Sequence, residues 1–230
     1  MMPGVVSFDL DETLWDFAPM MDGSLAATVE AVARRRPELA GVTVEELHRV
    51  RAEVGAECEG TYEALRLESF RRVLAARGVD DPELPRWMVD TWMAARVDSV
   101  EVHDDVEPAL DELEARGYLL GAITNGNFPL DRLPLARRMA FVVHAEHAGG
   151  AKPGAEPFAM AMGLSGAHPS RWVHVGDSIE SDVLGAQAFG LRAVWINRRG
   201  DPLPEGVTPE AELPSLQGLA DVVDRLLGAA

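Results

Sequence analysis

Five short, nearly unbroken apolar runs limit what this chain can fold into. They occupy residues 5–8, 118–123, 141–143, 172–175 and 193–196, and they are rich in β-branched and aromatic side chains. Continuous apolar character, without alternation to polar residues, belongs to strands covered on both faces. That is the environment of a parallel sheet with helices on each side. The last four runs alternate with helical stretches at 106–116, 155–162 and 182–189, and a stretch at 216–227 closes the chain. Gly117, Gly163 and Gly190 stand after the first three as helix stops. The rhythm predicts an α/β fold, a doubly wound, Rossmann-like parallel sheet.

Residues 9–117 carry no comparable strand signal. They read as helices at 21–36, 43–58, 61–77 and 83–97, with a further one at 106–116, punctuated by Pro37, Gly41, Gly60, Gly78 and Pro82. Thr43 followed by Glu46 is a capping-box pattern. The expected organisation is an α/β core of residues 1–16 and 103–230, with a four-helix insert at 17–102. Trp87, Met88, Trp92 and Met93 fall near helical spacing and read as the core of the insert, as do Tyr62 and Phe70. The proline-rich stretch 201–214 reads as a surface loop.

Composition narrows the classes of function. The 230 residues are 47% hydrophobic and 26% charged, enough for a full core without disulfides or a structural metal. Cys58 is the sole cysteine, so no intramolecular disulfide can form, and a reducing cytoplasm is the expected home. No apolar run reaches the ~18 residues of a membrane span, and the start of the chain lacks a secretory pattern. Lys and Arg number 21 against 38 Asp and Glu, a net charge of -17. A general nucleic-acid binder needs a basic face, so that class is excluded. A phosphorylated substrate is not, because one local cation outweighs a distant field.

In open α/β sheets ligands bind at the carboxyl ends of the strands. The first run is followed by Asp9-Leu10-Asp11-Glu12-Thr13 and the second by Thr124-Asn125-Gly126-Asn127. Lys152-Pro153 precedes the helix at 155, and Gly176-Asp177-Ser178 through Asp182 follows the fourth run. Carboxylates gathered at one edge repel, and a hard divalent cation such as Mg²⁺ relieves the repulsion. The cation would keep Asp9 and Asp177 ionised. One ionised Asp can attack phosphorus, and a second with a raised pKa can protonate the leaving oxygen. Lys152 would pair with nucleophile and phosphoryl group. The Thr124 hydroxyl and the backbone N–H groups near Asn125 and Gly126 would hold phosphoryl oxygens.

At these residues the chain resembles the haloacid dehalogenase superfamily in its C1-capped phosphatase branch. Asp9, Asp11 and Thr13 match the first motif and Thr124 the second. Lys152 matches the third, and Asp177 with Asp182 the fourth. The resemblance implies a strand order 5-4-1-2-3 and a helical cap after the first motif. It implies that Asp9 becomes an aspartyl-phosphate and that Asp11 is the proton donor and then the base. It implies that Mg²⁺ rests on the Asp9 carboxylate, the Asp11 backbone carbonyl and the Asp177 carboxylate. Thr124 and Lys152 grip the phosphoryl group, with Thr13, Ser178 and Asp182 in support. True dehalogenases of this superfamily lack the second acid of the first motif, so Asp11 favours phosphate chemistry. Residues 8–15, 123–127 and 194–196 look like bacterial flavin-pathway phosphatases and house-cleaning nucleotidases. Residues 148–151 and Ser178 depart from that likeness.

The expected activity is a Mg²⁺-dependent phosphomonoesterase acting on a small phosphorylated metabolite, as a monomer or homodimer. The alternatives are a phosphotransferase or mutase, a haloacid dehalogenase, and a catalytically silent binding protein. Other polar residues read as structural. His144 and His147 lack a third ligand, His174 is a satisfied core histidine, and residues 34–36 favour a helix C-terminus. Asp104 and Asp105 read as caps of the following helix, Glu180 borders the fourth motif, and Cys58 is an ordinary helix residue.

Overall fold

The computed structural model describes residues 4–228 and divides into two compact units. One is built from the chain up to Asp16 and from Val102 onward, the other from Phe17–Glu101. In chain order the elements are β1 (Val5–Phe8), α1 (Phe17–Arg35), α2 (Val44–Glu57), α3 (Tyr62–Ala75), α4 (Leu84–Ser99), α5 (Val106–Ala115), β2 (Leu119–Thr124), β3 (Phe141–His144), α6 (Ala145–Ala148), α7 (Glu156–Ser165), β4 (Trp172–Gly176), α8 (Gly185–Phe189), β5 (Arg192–Ile196), β6 (Ala211–Leu213) and α9 (Leu219–Leu227).

The six strands form one parallel sheet in the order β3-β2-β1-β4-β5-β6. β1 is buried along its whole length between β2 and β4. The chain moves to one side of β1 for β2 and β3, and to the other for β4 to β6. β1 therefore marks the switch point at which open α/β sheets bind ligands. Val5, Ile123, Phe141, Phe158, Trp172, Val183 and Trp195 belong to a buried cluster against this sheet. Fully burying side chains of this size contributes about 1.5–3 kcal/mol each.

Four local expectations are corrected. The stretch 201–214 is not all loop, because Ala211–Leu213 pairs with β5 as an edge strand. α7 does not stop at Gly163 but runs to Ser165 and ends at Gly166, whose φ of 66° closes the helix in the left-handed region. The helix expected at 182–189 begins with a wide π-helical turn over Ile179–Leu184. Asp105 does not cap α5 through its side chain. Its carboxylate accepts from Nη1 and Nη2 of Arg198, each at 3.0 Å, and from the Leu216 N–H at 2.6 Å. It joins the segment after β5 to the entry of α9.

The second unit contains α1 to α4. Pro19 lies in the first turn of α1, where a missing N–H costs nothing, and Arg34 and Arg35 lie in its last turn. Thr43 caps α2 by accepting the Glu46 N–H, and Thr61 caps α3 by accepting the Ala64 N–H, each at 3.2 Å. Met88, Trp92 and Phe70 are buried in the unit's apolar core, with Trp87 and Met93 packed at its edge. Tyr62 departs from the expectation. It is the first residue of α3 and stands 42% exposed.

Candidate active site

The carboxyl ends of β1, β2 and β4 supply the parts of one cavity of about 190 Å³, lined by Asp9, Asp11, Thr124, Asn125, Gly126, Lys152, Asp177, Ser178, Ser181 and Asp182. Asp9 directly follows β1, and its N–H donates to the Val175 carbonyl at 2.8 Å, so the backbone here still belongs to the sheet. After it the chain turns sharply. Glu12 has a φ of 64°, a region uncommon for a residue with a side chain, and its N–H donates to the Trp15 carbonyl at 2.7 Å. This turn brings the Trp15 indole N–H to Asp11 Oδ1 at 2.8 Å. Asp11 is thereby held as a hydrogen-bond acceptor at the cavity edge.

Lys152 is the centre of the site. Its ammonium donates to Asp9 Oδ1 at 2.7 Å, to Asp182 Oδ1 at 2.6 Å and to the Ile123 carbonyl at 2.7 Å. Three donors meet three acceptors, so a side chain only 1% exposed keeps its charge satisfied. Burial works against that charge, but Asp182 and Asp9 overcome it and hold the Lys152 pKa above its usual value. The lysine's own backbone is fixed by Asn125. The Asn125 side chain donates Nδ2 to the Lys152 carbonyl at 2.8 Å and accepts the Lys152 N–H at 2.7 Å. The Asn125 amide is therefore a clamp on the lysine loop, and any phosphoryl grip from this residue falls to its backbone.

The three carboxylates around the lysine divide their roles by environment. Burial would raise Asp182, but Lys152 and a hydrogen bond from His174 outweigh it and hold this carboxyl well below the usual range. Asp182 also accepts the Ser178 N–H on Oδ2 at 3.0 Å. Asp9 goes the other way. Burial pushes it well above the usual range, and the charges of Asp182 and Asp177 add to this against the pull of Lys152. Asp177 is pushed up to about 6 by burial and then by Asp182. Lys152 and Asp182 thus form the fixed ion pair, and Asp9 and Asp177 are two carboxylates in want of a positive charge. Carboxylate oxygens of Asp9, Asp177 and Asp182 lie within 4.8 Å of one another, and this all-oxygen set suits a hard divalent cation.

Another side of the cavity is built from the β2 end. Thr124 is 2% exposed, and its Oγ1 accepts the Gly126 N–H at 2.9 Å, which leaves the hydroxyl proton to donate. A Cβ on Gly126 would fall 2.9 Å from Asp11 Oδ2, so only glycine lets this backbone approach so closely. Thr13 is fully buried with its hydroxyl 3.4 Å from Asp177 Oδ1. Ser178 accepts the Ser181 N–H at 3.2 Å and caps the π-helical turn that carries Asp182. Glycine at 176 is needed for the same reason as at 126, since a Cβ there would lie 2.3 Å from the Asp182 carboxyl carbon.

Four residues extend the site beyond what sequence reading found. His174 is fully buried and satisfied, as expected, but one of its partners is Asp182, which lines the cavity. The Trp172 indole N–H donates to Ser7 Oγ at 2.8 Å. The Ser7 hydroxyl, 2.8 Å from His174 Nδ1, donates to that nitrogen, and His174 Nε2–H then donates to Asp182 Oδ1 at 3.2 Å. Burial lowers the His174 pKa, which matches this neutral form. Ser7 and His174 are register partners on β1 and β4. The clue in the sequence is one polar residue in each of two apolar runs. His144, at the end of β3, donates Nδ1–H to the Gly126 carbonyl at 3.2 Å and braces the loop after β2. Its ring meets His147 edge to face at 5.7 Å.

Comparisons with known proteins agree with this geometry. Residues 4–190 match the haloacid dehalogenase-like hydrolase family. A glyceraldehyde 3-phosphate phosphatase of Methanopyrus kandleri is 29% identical over 232 residues, covering 96% of this chain and 97% of its own. A 5-amino-6-(5-phospho-D-ribitylamino)uracil phosphatase of Escherichia coli is 26% identical, covering 95% of each. Among solved structures, a 2-haloacid dehalogenase from Pseudomonas syringae pv. Tomato DC3000 superposes with a TM-score of 0.84 at 36% identity, covering 97% of this chain and 99% of that one.

Proposed function

This chain belongs to the haloacid dehalogenase-like hydrolase family, and we propose that within it the protein is a Mg²⁺-dependent phosphomonoesterase acting on a small phosphorylated metabolite through Asp9. The observation that carries the reading is the Lys152 ammonium bonded to both Asp9 and Asp182, in a cavity that Asp11, Thr124 and Asp177 also line.

The hydrogen bonds support the following roles. Lys152 fixes the Asp9 carboxylate, and Asp182 with His174 fixes Lys152. Thr124 Oγ–H and the N–H groups at 125–126 receive phosphoryl oxygens, with the Gly126 N–H exchanging its bond to Thr124 for one to substrate. An Asp9 carboxylate oxygen attacks phosphorus as the P–O bond to the leaving alcohol breaks. Asp11 gives that alkoxide its proton. In the second half Asp11 takes a proton from water, the water oxygen attacks phosphorus, and the Asp9–phosphorus bond breaks to release phosphate and free Asp9. Asp9, Asp177 and the Asp11 backbone carbonyl would hold Mg²⁺, which supplies charge to keep Asp9 ionised and to neutralise phosphoryl oxygens. Asp182 spends both of its oxygens on Lys152, His174 and the Ser178 N–H, which makes it a support for the site. The insert, with its four helices, is the segment proposed to choose among substrates.

The name of the Pseudomonas structure favours a second reading, hydrolysis of a carbon–halogen bond by the same Asp9 and Lys152. A halide leaves without a proton, whereas an alkoxide needs one, so a positioned acid at Asp11 supports the phosphate reading. The test is paired release assays with and without Mg²⁺. Phosphate freed from a panel of phosphorylated metabolites, and lost in chelator, supports the phosphatase. Halide freed from 2-chloropropionate with no phosphate release refutes it.

A further inference from the structure

Asp11 has two carboxyl oxygens, and the turn after β1 treats them differently. The Trp15 indole N–H donates to Oδ1 at 2.8 Å. Oδ2 is the oxygen turned toward the loop after β2, where a Cβ on Gly126 would fall 2.9 Å from it. An indole N–H can only donate, so it seeks the better acceptor of the two oxygens. In a protonated carboxyl the better acceptor is the carbonyl oxygen. Oδ1 is therefore the carbonyl and Oδ2 the hydroxyl whenever Asp11 holds its proton.

Trp15 is fixed on every side that this arrangement needs. It is fully buried, and its ring centre lies 4.8 Å from that of Phe128, also fully buried, on the loop that begins with Asn125 and Gly126. Its carbonyl accepts the Glu12 N–H at 2.7 Å. It forms an antiparallel bridge with Val102, and beside that bridge the His103 N–H donates to the Leu14 carbonyl at 2.9 Å. One side chain thus meets Asp11 through its N–H and the loop after β2 through its ring.

We propose that Trp15 is a positioning residue for Asp11, whose indole N–H fixes the carboxyl so that Oδ2 presents the proton to the leaving oxygen. This role rests on the phosphomonoesterase reading of Asp11 and adds a residue to it. As the P–O bond breaks, the Oδ2 proton passes to the departing alkoxide and its electron pair stays on Asp11. The resulting carboxylate is the form that later takes a proton from water. An aryl oxide of low basicity leaves without that proton, so loss of the indole N–H falls on poor leaving groups. A merely structural Trp15 would affect both kinds of substrate alike.

The test uses the full chain with Trp15→Phe, which keeps a ring against Phe128 and deletes the N–H. Phe128→Leu is the control, because it disturbs the same packing and keeps the N–H. Rapid-quench rates of phospho-enzyme formation are measured with 2-hydroxyethyl phosphate and with p-nitrophenyl phosphate. The alkyl-to-aryl rate ratio should fall about ten- to a hundredfold in Trp15→Phe, the size of one lost bond to a catalytic carboxyl, and stay within about twofold in Phe128→Leu. If Trp15→Phe does not fold, benzothienylalanine at position 15, which keeps the bicyclic ring and puts sulfur in place of N–H, gives the same readout. An unchanged ratio in the folded N–H-deleted protein, or an equal fall in Phe128→Leu, overturns the proposal. A second arm needs no turnover. Of the five tryptophans, Trp15 should be the one whose indole N–H resonance moves in Asp11→Ala, and a Trp15 resonance that stays in place overturns the contact. Wild type that forms no phospho-enzyme with either compound refutes the phosphomonoesterase reading, and the resonance then decides whether Trp15 holds Asp11.

Discussion

Replacing Asp177 by asparagine should stabilise the metal-free protein at neutral pH while weakening its response to Mg²⁺. Burial, followed by the charge of Asp182, raises Asp177 from 3.8 to about 6. An acid whose folded pKa exceeds its unfolded value binds its proton more tightly in the folded state. Stability is therefore full below the unfolded pKa, falls as pH rises through the window from 3.8 to about 6, and stays low above it. A gap of about two units corresponds to ~3 kcal/mol at ~1.4 kcal/mol per unit. Asp177 is half-buried, and solvent screening brings this to ~1–2 kcal/mol. Asparagine carries the shape of the neutral acid without its titration. At about pH 8 in chelator, Asp177→Asn should melt about 2–8 °C above wild type. At about pH 4.5 the gain should shrink to about a third, because most of the wild-type penalty has gone. Saturating Mg²⁺ should reverse the order, since a ligand that binds only the folded state stabilises by mass action and the variant has lost one of its oxygens. Melting curves of both proteins under the four conditions check this. A variant no more stable than wild type in chelator at about pH 8, or a difference that ignores pH, refutes the account of Asp177 as an uncompensated carboxylate.

Asp9→Asn should abolish turnover while the fold survives, and acid-quenched protein should trap phosphate on wild type and none on the variant. Asp11→Asn should slow formation of the phospho-enzyme by about 10²–10⁴ for alkyl phosphates and far less for p-nitrophenyl phosphate, whose leaving group needs no proton. Rapid-quench bursts measure both, and equal losses would remove Asp11 as the acid. Gly176→Ala should cut kcat sharply, because its Cβ would displace the Asp182 carboxyl from Lys152. An active, well-folded Gly176→Ala would show that Asp182 does not position the lysine. Ser7→Ala should cost about 1–3 kcal/mol by orphaning the buried Trp172 indole N–H, read as a lower melting temperature.

The sheet could be read from the chain because strands buried on both faces write their burial directly into composition. β1, β2, β4 and β5 are such strands, and β3, at one edge, is an apolar run that alternates buried and half-buried. β6 is neither. Ala211–Leu213 is three residues long, half-exposed, and paired on one edge only, so it carries no apolar run, and its single Ala-Glu-Leu alternation is too short to mark a strand. Helix ends departed from the expectation for two different reasons. Gly163 looks like a stop, yet the helix continues to Gly166, where a positive φ is required. Asp105 has the composition of a cap. Its carboxylate is claimed instead by Arg198, far away in the chain and brought close only by the sheet.

The same distinction separates the two halves of the site. Groups that would touch phosphate directly follow strand ends, and strand ends can be located from the apolar runs, so Asp9, Asp11, Thr124 and Asp177 were each identifiable by position. The groups that set their charge lie one residue pair deeper, inside the runs themselves. A polar residue in a buried strand costs free energy unless it is paired, so Ser7 and His174 each imply a partner. Neither run says which partner. Only the parallel register, with Ser7 opposite His174, closes the chain of bonds from the Trp172 indole through Ser7 and His174 to Asp182 and Lys152. That chain keeps Asp182 charged, and its charge helps to raise the pKa of both Asp9 and Asp177. If Asp9 is the nucleophile, as proposed above, it lies where ionisation is costly without a cation, and its readiness would be coupled to occupancy of the neighbouring carboxylates.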